Sequence, residues 1–67
     1  MPTDVHFGHM IMERRRDLGI TQDELGKRVR KSRTQITNIE AGRTDIPLSQ
    51  LRAYADALEC QMKDLLP

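Results

Sequence analysis

Sixty-seven residues make one domain, close to the lower size at which a core folds without disulfides, a metal or a partner chain, so length alone leaves self-association open. Cys60 stands alone and excludes an internal disulfide, no run approaches the ~20 apolar residues that cross a bilayer, and Met1-Pro2-Thr3-Asp4 lacks the basic and apolar segments of a signal peptide, so a reduced, cytoplasmic protein is expected. The net charge of +1 conceals an asymmetry: residues 13–43 carry nine basic side chains against five acidic ones, and the rest of the chain two against five, which is either a solvated surface or a basic face suited to nucleic acid.

Residues 1–6 read as a flexible polar arm and 7–67 as a single domain. Helix one is predicted from about Phe7 to Leu18, where Phe7, Met10, Ile11 and Leu18 form an imperfect apolar stripe, and Gly19 ends it. Two capping-box patterns follow, Thr21-Gln22-Asp23-Glu24 and Ser32-Arg33-Thr34-Gln35, eleven residues apart. In each, a hydroxyl caps an orphan backbone N–H while the acid or amide three residues on reaches back, which marks the starts of two short helices joined by a tight connection. Helix two turns Leu25 and Val29 inward, and Gly26 lets the next helix come close. Helix three sets Ile36 and Ile39 on one side and Arg33, Thr34, Thr37, Asn38 and Ala41 on the other, with Gly42 as its stop. A short helix with a hydrogen-bonding outer face is what major-groove reading of DNA requires.

Asp45-Ile46-Pro47 opens helix four, since a proline near the first turn gives up only an N–H that has no helical partner. Leu48, Leu51, Ala55 and Leu58 form its inward stripe, with Tyr54 at the edge. Residues 61–66 make a short helix or a helical turn with Met62, Leu65 and Leu66 as apolar side chains. Five helices and no strand signal predict an all-α domain with short connections.

From Phe7 to Leu66 the chain resembles the lambda-repressor-like helix-turn-helix family, the Cro and phage-repressor type also called XRE. The resemblance rests on Gly19-Ile20-Thr21-Gln22-x-x-Leu25-Gly26, then Val29, Ser32, Ile36, Ile39-Glu40 and Gly42-Arg43. It implies a compact five-helix DNA-binding domain whose helix-turn-helix is formed by helices two and three. It also implies roles for matching residues. Gln22 would bond a phosphate and brace the recognition helix. Arg33, Thr34, Thr37 and Asn38 would face bases, Arg33 by a bidentate contact to guanine and Asn38 to adenine. Thr34 and Thr37 would offer a methyl to thymine or donate to phosphate. Ser32, Gln35, Arg43 and Thr44 would hold phosphates; apart from the resemblance, the charges of Lys31 and Arg30 at the turn make them further phosphate candidates. Arg15 and Glu40 match a structural ion pair between helix one and the end of helix three.

Three departures from the family pattern carry expectations. Arg14 stands where the family has an apolar core residue, implying a rotated helix one or a snorkelling stem, with Met10 and Leu18 compensating. Arg30 replaces a turn glycine, so the turn is wider or Arg30 is strained. Glu59-Cys60 replaces Gly-Val, which makes Cys60 a small buried hydrophobe, or alternatively a redox sensor.

His6-x-x-His9 has ligand spacing but no further ligands beside it, so no metal or other cofactor is expected. No nucleophile–base arrangement or phosphate cradle argues for an enzyme. Phe7 and Tyr54, the only aromatics, are too few for a base-stacking platform. The expectation is a transcriptional regulator, most simply a repressor, that binds an inverted repeat of double-stranded DNA as a homodimer through Ile46, Tyr54, Met62 and Leu66. The alternative is a protein-interaction module of the same fold, such as the antitoxin of a toxin–antitoxin pair.

Overall fold

The computed structural model describes residues 7–66. The arm expected at 1–6, with His6, lies outside the described residues, as does Pro67. Four α-helices follow in order, α1 (Phe7–Leu18), α2 (Gln22–Val29), α3 (Arg33–Glu40) and α4 (Leu48–Ala57), and a single 3₁₀ turn closes the chain at Met62–Leu65. The fifth helix is therefore corrected to one turn. Its bonds run from Asp64 N–H to the Gln61 carbonyl and from Leu66 N–H to the Lys63 carbonyl, and four residues are too few for a sustained i→i−4 ladder. No strand occurs among the described residues.

Both predicted capping boxes form. Thr21 Oγ1 accepts from Glu24 N–H at 3.0 Å while Thr21 N–H donates to Glu24 Oε1 at 2.8 Å. Ser32 and Gln35 repeat the exchange at 3.0 and 2.7 Å. The two helix starts are thus set locally, by residues that need no tertiary partner.

Between them the chain turns at Arg30, whose φ of 61° is left-handed. The turn keeps the tight geometry that glycine would favour, so Arg30 accepts the strain and no widening occurs. Lys31 N–H closes it by donating to the Gly26 carbonyl at 2.8 Å. Gly26 is required here for packing: a Cβ would lie 2.5 Å from the Lys31 carbonyl oxygen.

The core is formed by Ile11, Leu25, Ile36, Ile39, Ile46, Leu51, Tyr54, Ala55, Leu58 and Leu65. Two positions of the expected stripes are corrected. Leu48 is 65% exposed, because at the first position of α4 its side chain tilts back toward the helix N-terminus and overhangs the packed region. Leu18, at the last turn of α1, is 36% exposed and does not compensate for Arg14. Arg14 is itself half-buried, and Met10 packs against the core. Tyr54 belongs to the core interior at 1% exposure, not to an edge. Cys60 is half-buried and packs on the core as a small apolar residue. No helix among the described residues is long and apolar enough to cross a membrane.

Candidate nucleic-acid interface

α3 buries Ile36 and Ile39 and leaves Arg33, Thr34 and Gln35 exposed, with Thr37 and Asn38 half-buried beside them and Ala41 exposed just past its end. The predicted division of the helix into an inner and an outer side is therefore present. Ser32, Arg30 and Arg43 are exposed at its two ends, and Lys31 is half-buried. A groove of about 300 Å³ alongside brings Lys31, Gln35, Asn38 and Thr44 together with Gln50 and Tyr54.

What holds this surface is an interior polar network. Arg15 Nε and Nη2 donate to Glu40 Oε2 and Oε1 at 2.7 and 3.0 Å, and Arg15 Nη1 donates to the Ile20 carbonyl at 3.0 Å. The fork geometry suits the planar guanidinium. The hydrogen bond to Glu40 raises the Arg15 pKa, burial opposes it, and the charge of Glu40 adds to the rise. Gln22 Nε2 donates to Glu40 Oε1 at 3.0 Å, and Thr37 Oγ1 donates to Gln22 Oε1 at 3.0 Å. Gln22 is thus bonded both to the ion pair and to Thr37 on the outer side of α3.

Several expected contacts have intramolecular duties as well. Gln35 Oε1 is occupied by the Ser32 cap, which leaves its amide N–H groups to reach outward. Arg43 Nη1 donates to Asn38 Oδ1 at 3.3 Å, so an expected phosphate contact and an expected base reader are paired with each other. Arg28, part of the basic excess, is turned away: it donates to the Ala57 carbonyl at 2.8 Å and lies 3.7 Å from Glu59. Its charge serves the end of α4. Glu24 has its carboxyl pKa lowered, chiefly because it accepts the Thr21 backbone N–H.

The placing of Ile46 and Tyr54 at a dimer surface is corrected: they are 5% and 1% exposed within the single chain and have almost no surface to offer a partner. Met62 and Leu66 remain outside at 36% and 44%. His9 lies 3.2 Å from Glu13, and among the described residues no group of three or more His, Cys, Asp or Glu side chains is gathered for a metal.

The family model described as helix-turn-helix matches residues 11–65. The chain belongs to the lambda-repressor-like helix-turn-helix family. No curated protein sequence matches it significantly. Among solved structures it is similar to the P22 c2 repressor in complex with a synthetic operator, at 35% identity over 94% of this chain and 96% of that one, with a TM-score of 0.80. It is also similar to the restriction-modification controller protein C.AhdI of Aeromonas hydrophila, at 25% identity over 90% and 87% of the two chains and a TM-score of 0.83. The clp gene regulator ClgR of C. glutamicum matches at 27% identity over 90% and 78%, with a TM-score of 0.84. The fold of this helix-turn-helix protein is that of DNA-binding transcription regulators.

One residue that packs the recognition helix escaped the sequence reading. A Cβ on Gly8 would fall 1.9 Å from the Ile39 carbonyl oxygen, so α1 crosses α3 backbone to backbone. The available signal was a glycine three residues before the core residue Ile11, on the same side of the helix.

Proposed function

We propose that this protein is a sequence-specific reader of double-stranded DNA that represses transcription as a homodimer on an inverted repeat. The observation that carries the reading is the outer side of α3, where Arg33, Thr34, Thr37 and Asn38 lie together on a helix anchored from behind by Gln22 and Glu40. α3 would enter the major groove, with Arg33 and Asn38 reading base edges. Ser32, Gln35, Lys31, Arg30, Arg43, Thr44 and Gln22 would hold phosphates and fix the register. The similarity to a repressor solved on an operator supports this assignment.

A single module of this size offers a small interface, and two half-sites about one helical turn, ~34 Å, apart would supply the rest. Among the described residues, Met62 and Leu66, with Leu48 and Leu18, are the exposed large apolar side chains available for pairing two copies. The same exposed side chains would serve a different protein partner in the antitoxin-like alternative. Selection from a random duplex pool, followed by titration of the winner at ~150 mM salt, separates the two. An inverted repeat bound at least ~10³-fold more tightly than scrambled DNA supports the dimeric reader. Equal weak binding to all DNA overturns it in favour of the interaction module.

A further inference from the structure

The buried ion pair is connected to the base-facing surface by an ordered chain of donors and acceptors. Glu40 Oε1 accepts from Arg15 and also from the Gln22 amide N–H. A carboxylate has no proton to give, so Gln22 must turn its NH₂ toward Glu40 and its carbonyl oxygen toward Thr37. Reversing the amide would set its oxygen against the carboxylate. The Thr37 hydroxyl therefore meets an acceptor and must donate, and its second neighbour, the Arg33 carbonyl at 3.0 Å, is an acceptor too. Its single hydrogen is committed within the protein. The group that Thr37 retains for an outside contact as an apolar surface is its methyl.

We infer that Glu40 is a positioning residue for DNA reading, which acts through Gln22 to fix the Thr37 rotamer and makes Thr37 a reader of the pyrimidine 5-methyl group. The inference rests on the proposed function and narrows it. Of the two roles open to Thr37, donation to phosphate and contact with thymine, only the second is left. The chemistry recognised is one methyl group at C5 of a pyrimidine in the major groove.

The test replaces each thymine of the selected operator, one at a time, by deoxyuridine, which lacks only the methyl. The wild-type protein is expected to lose about fourfold in affinity at one position per half-site, the equivalent of one buried methyl group. Thr37→Ser, which keeps the hydroxyl, is expected to lose nothing there. Glu40→Gln leaves Arg15 without its counter-charge and is expected to unfold the domain. Two other variants cut the relay instead. Gln22→Met breaks it while keeping the ion pair, and the double variant Arg15→Met/Glu40→Leu removes the anchor while keeping Gln22. In both, discrimination between thymine and uracil at that position should fall measurably below the wild-type ratio, whatever happens to total affinity, with the Arg33 carbonyl alone left to hold the hydroxyl. A phosphate-only role for Gln22 would lower total affinity and leave that ratio unchanged. Full discrimination in either variant, or a wild type indifferent to uracil at every thymine, overturns the inference.

A readout without DNA separates this failure from failure of the proposed function. Three-bond couplings should report one Thr37 χ1 rotamer in the free wild-type protein and a measurable redistribution among rotamers in Gln22→Met, where the Arg33 carbonyl alone still accepts the hydroxyl. Averaging in the wild type would overturn the relay even with an operator in hand. If no operator is selected, the methyl-reading role is overturned together with the proposed function, and the couplings still decide whether Glu40 positions Thr37.

Discussion

Arg15 Nε lies 2.7 Å from Glu40 Oε2, and the two side chains are 12% and 3% exposed. The pair spans twenty-five residues and ties α1 to the last residue of α3, so the recognition helix is held at its far end by a charge that its own helix does not neutralise.

Truncating one partner should cost more than losing the contact. Arg15→Ala or Glu40→Ala strands the opposite charge inside, a penalty of about 3–5 kcal/mol. Against a domain stability of about 5–15 kcal/mol, toward the lower end for so short a chain, either variant should be largely unfolded near physiological temperature. The double variant Arg15→Met/Glu40→Leu should recover most of the loss or exceed the wild type, because it removes both desolvated charges. Urea titration of the four proteins measures the coupling. A double variant no more stable than the singles would show that the polar network itself carries the stability.

Arg33 and Arg43 stand at opposite ends of α3 and should fail differently. Arg33→Ala is expected to cost about 1–3 kcal/mol on the selected operator and to relax preference at one base position. Arg43→Ala should weaken every sequence alike and reduce the slope of log K against log salt by about one. Because Arg43 also donates to Asn38 Oδ1, its removal frees that acceptor. A change in base preference at the Asn38 position would therefore reveal that Arg43 has been limiting what Asn38 reads. Titrations at four salt concentrations, on the operator and on scrambled DNA, distinguish these outcomes.

The parts of this fold legible in the sequence are those that short-range chemistry decides. Thr21 with Glu24 and Ser32 with Gln35 announce their helix starts because each cap is completed within four residues. The inner side of α3 follows from Ile36 and Ile39, and the Arg15–Glu40 pairing was legible through family resemblance. Three-dimensional facts without a local signature were not legible. Nothing at Gly8 announces that the Ile39 carbonyl will stand where its Cβ would be. Leu48 carries the right spacing for the core but lies past its edge, while Tyr54, placed at the edge by the pattern, is interior. Periodicity gives a direction around a helix, but where the core ends along its axis depends on the neighbouring helices. Bonds that join expected contact residues to one another, Thr37 to Gln22 and Arg43 to Asn38, likewise depend on tertiary placement.

Tyr54 presents a buried hydroxyl with no hydrogen-bond partner among the described residues. Leaving such a group unsatisfied costs about 1–3 kcal/mol, so Tyr54→Phe should be neutral to stabilising at neutral pH while filling the same space. The variant should also change the alkaline limit. Burial raises the Tyr54 pKa. A raised folded-state value means that this contribution to stability is complete below the unfolded pKa of about 10 and is lost as pH rises through the folded value. Tyr54→Phe removes that loss, so its melting temperature should fall less steeply above pH ~10 than that of the wild type. A clear destabilisation at neutral pH would mean that the hydroxyl is satisfied in solution, for instance by a buried water.

Arg30 sets stability against binding at a single position. Its left-handed backbone, φ 61°, costs of order 1–3 kcal/mol in a residue with a Cβ. Glycine removes that strain but gives back part of the gain as extra freedom in the unfolded chain. Arg30→Gly should therefore raise stability by about 1 kcal/mol, a measurable rise in melting temperature for a domain of this length. The same change deletes an exposed positive charge at the turn between α2 and α3, so affinity for all DNA should fall, and the salt slope with it by about one if the guanidinium touches phosphate. Thermal unfolding and salt-dependent DNA binding, measured on one preparation, report both sides. A stabilised protein with an unchanged salt slope would remove Arg30 from the interface, and the reason for a strained arginine in this turn would then have to be sought elsewhere.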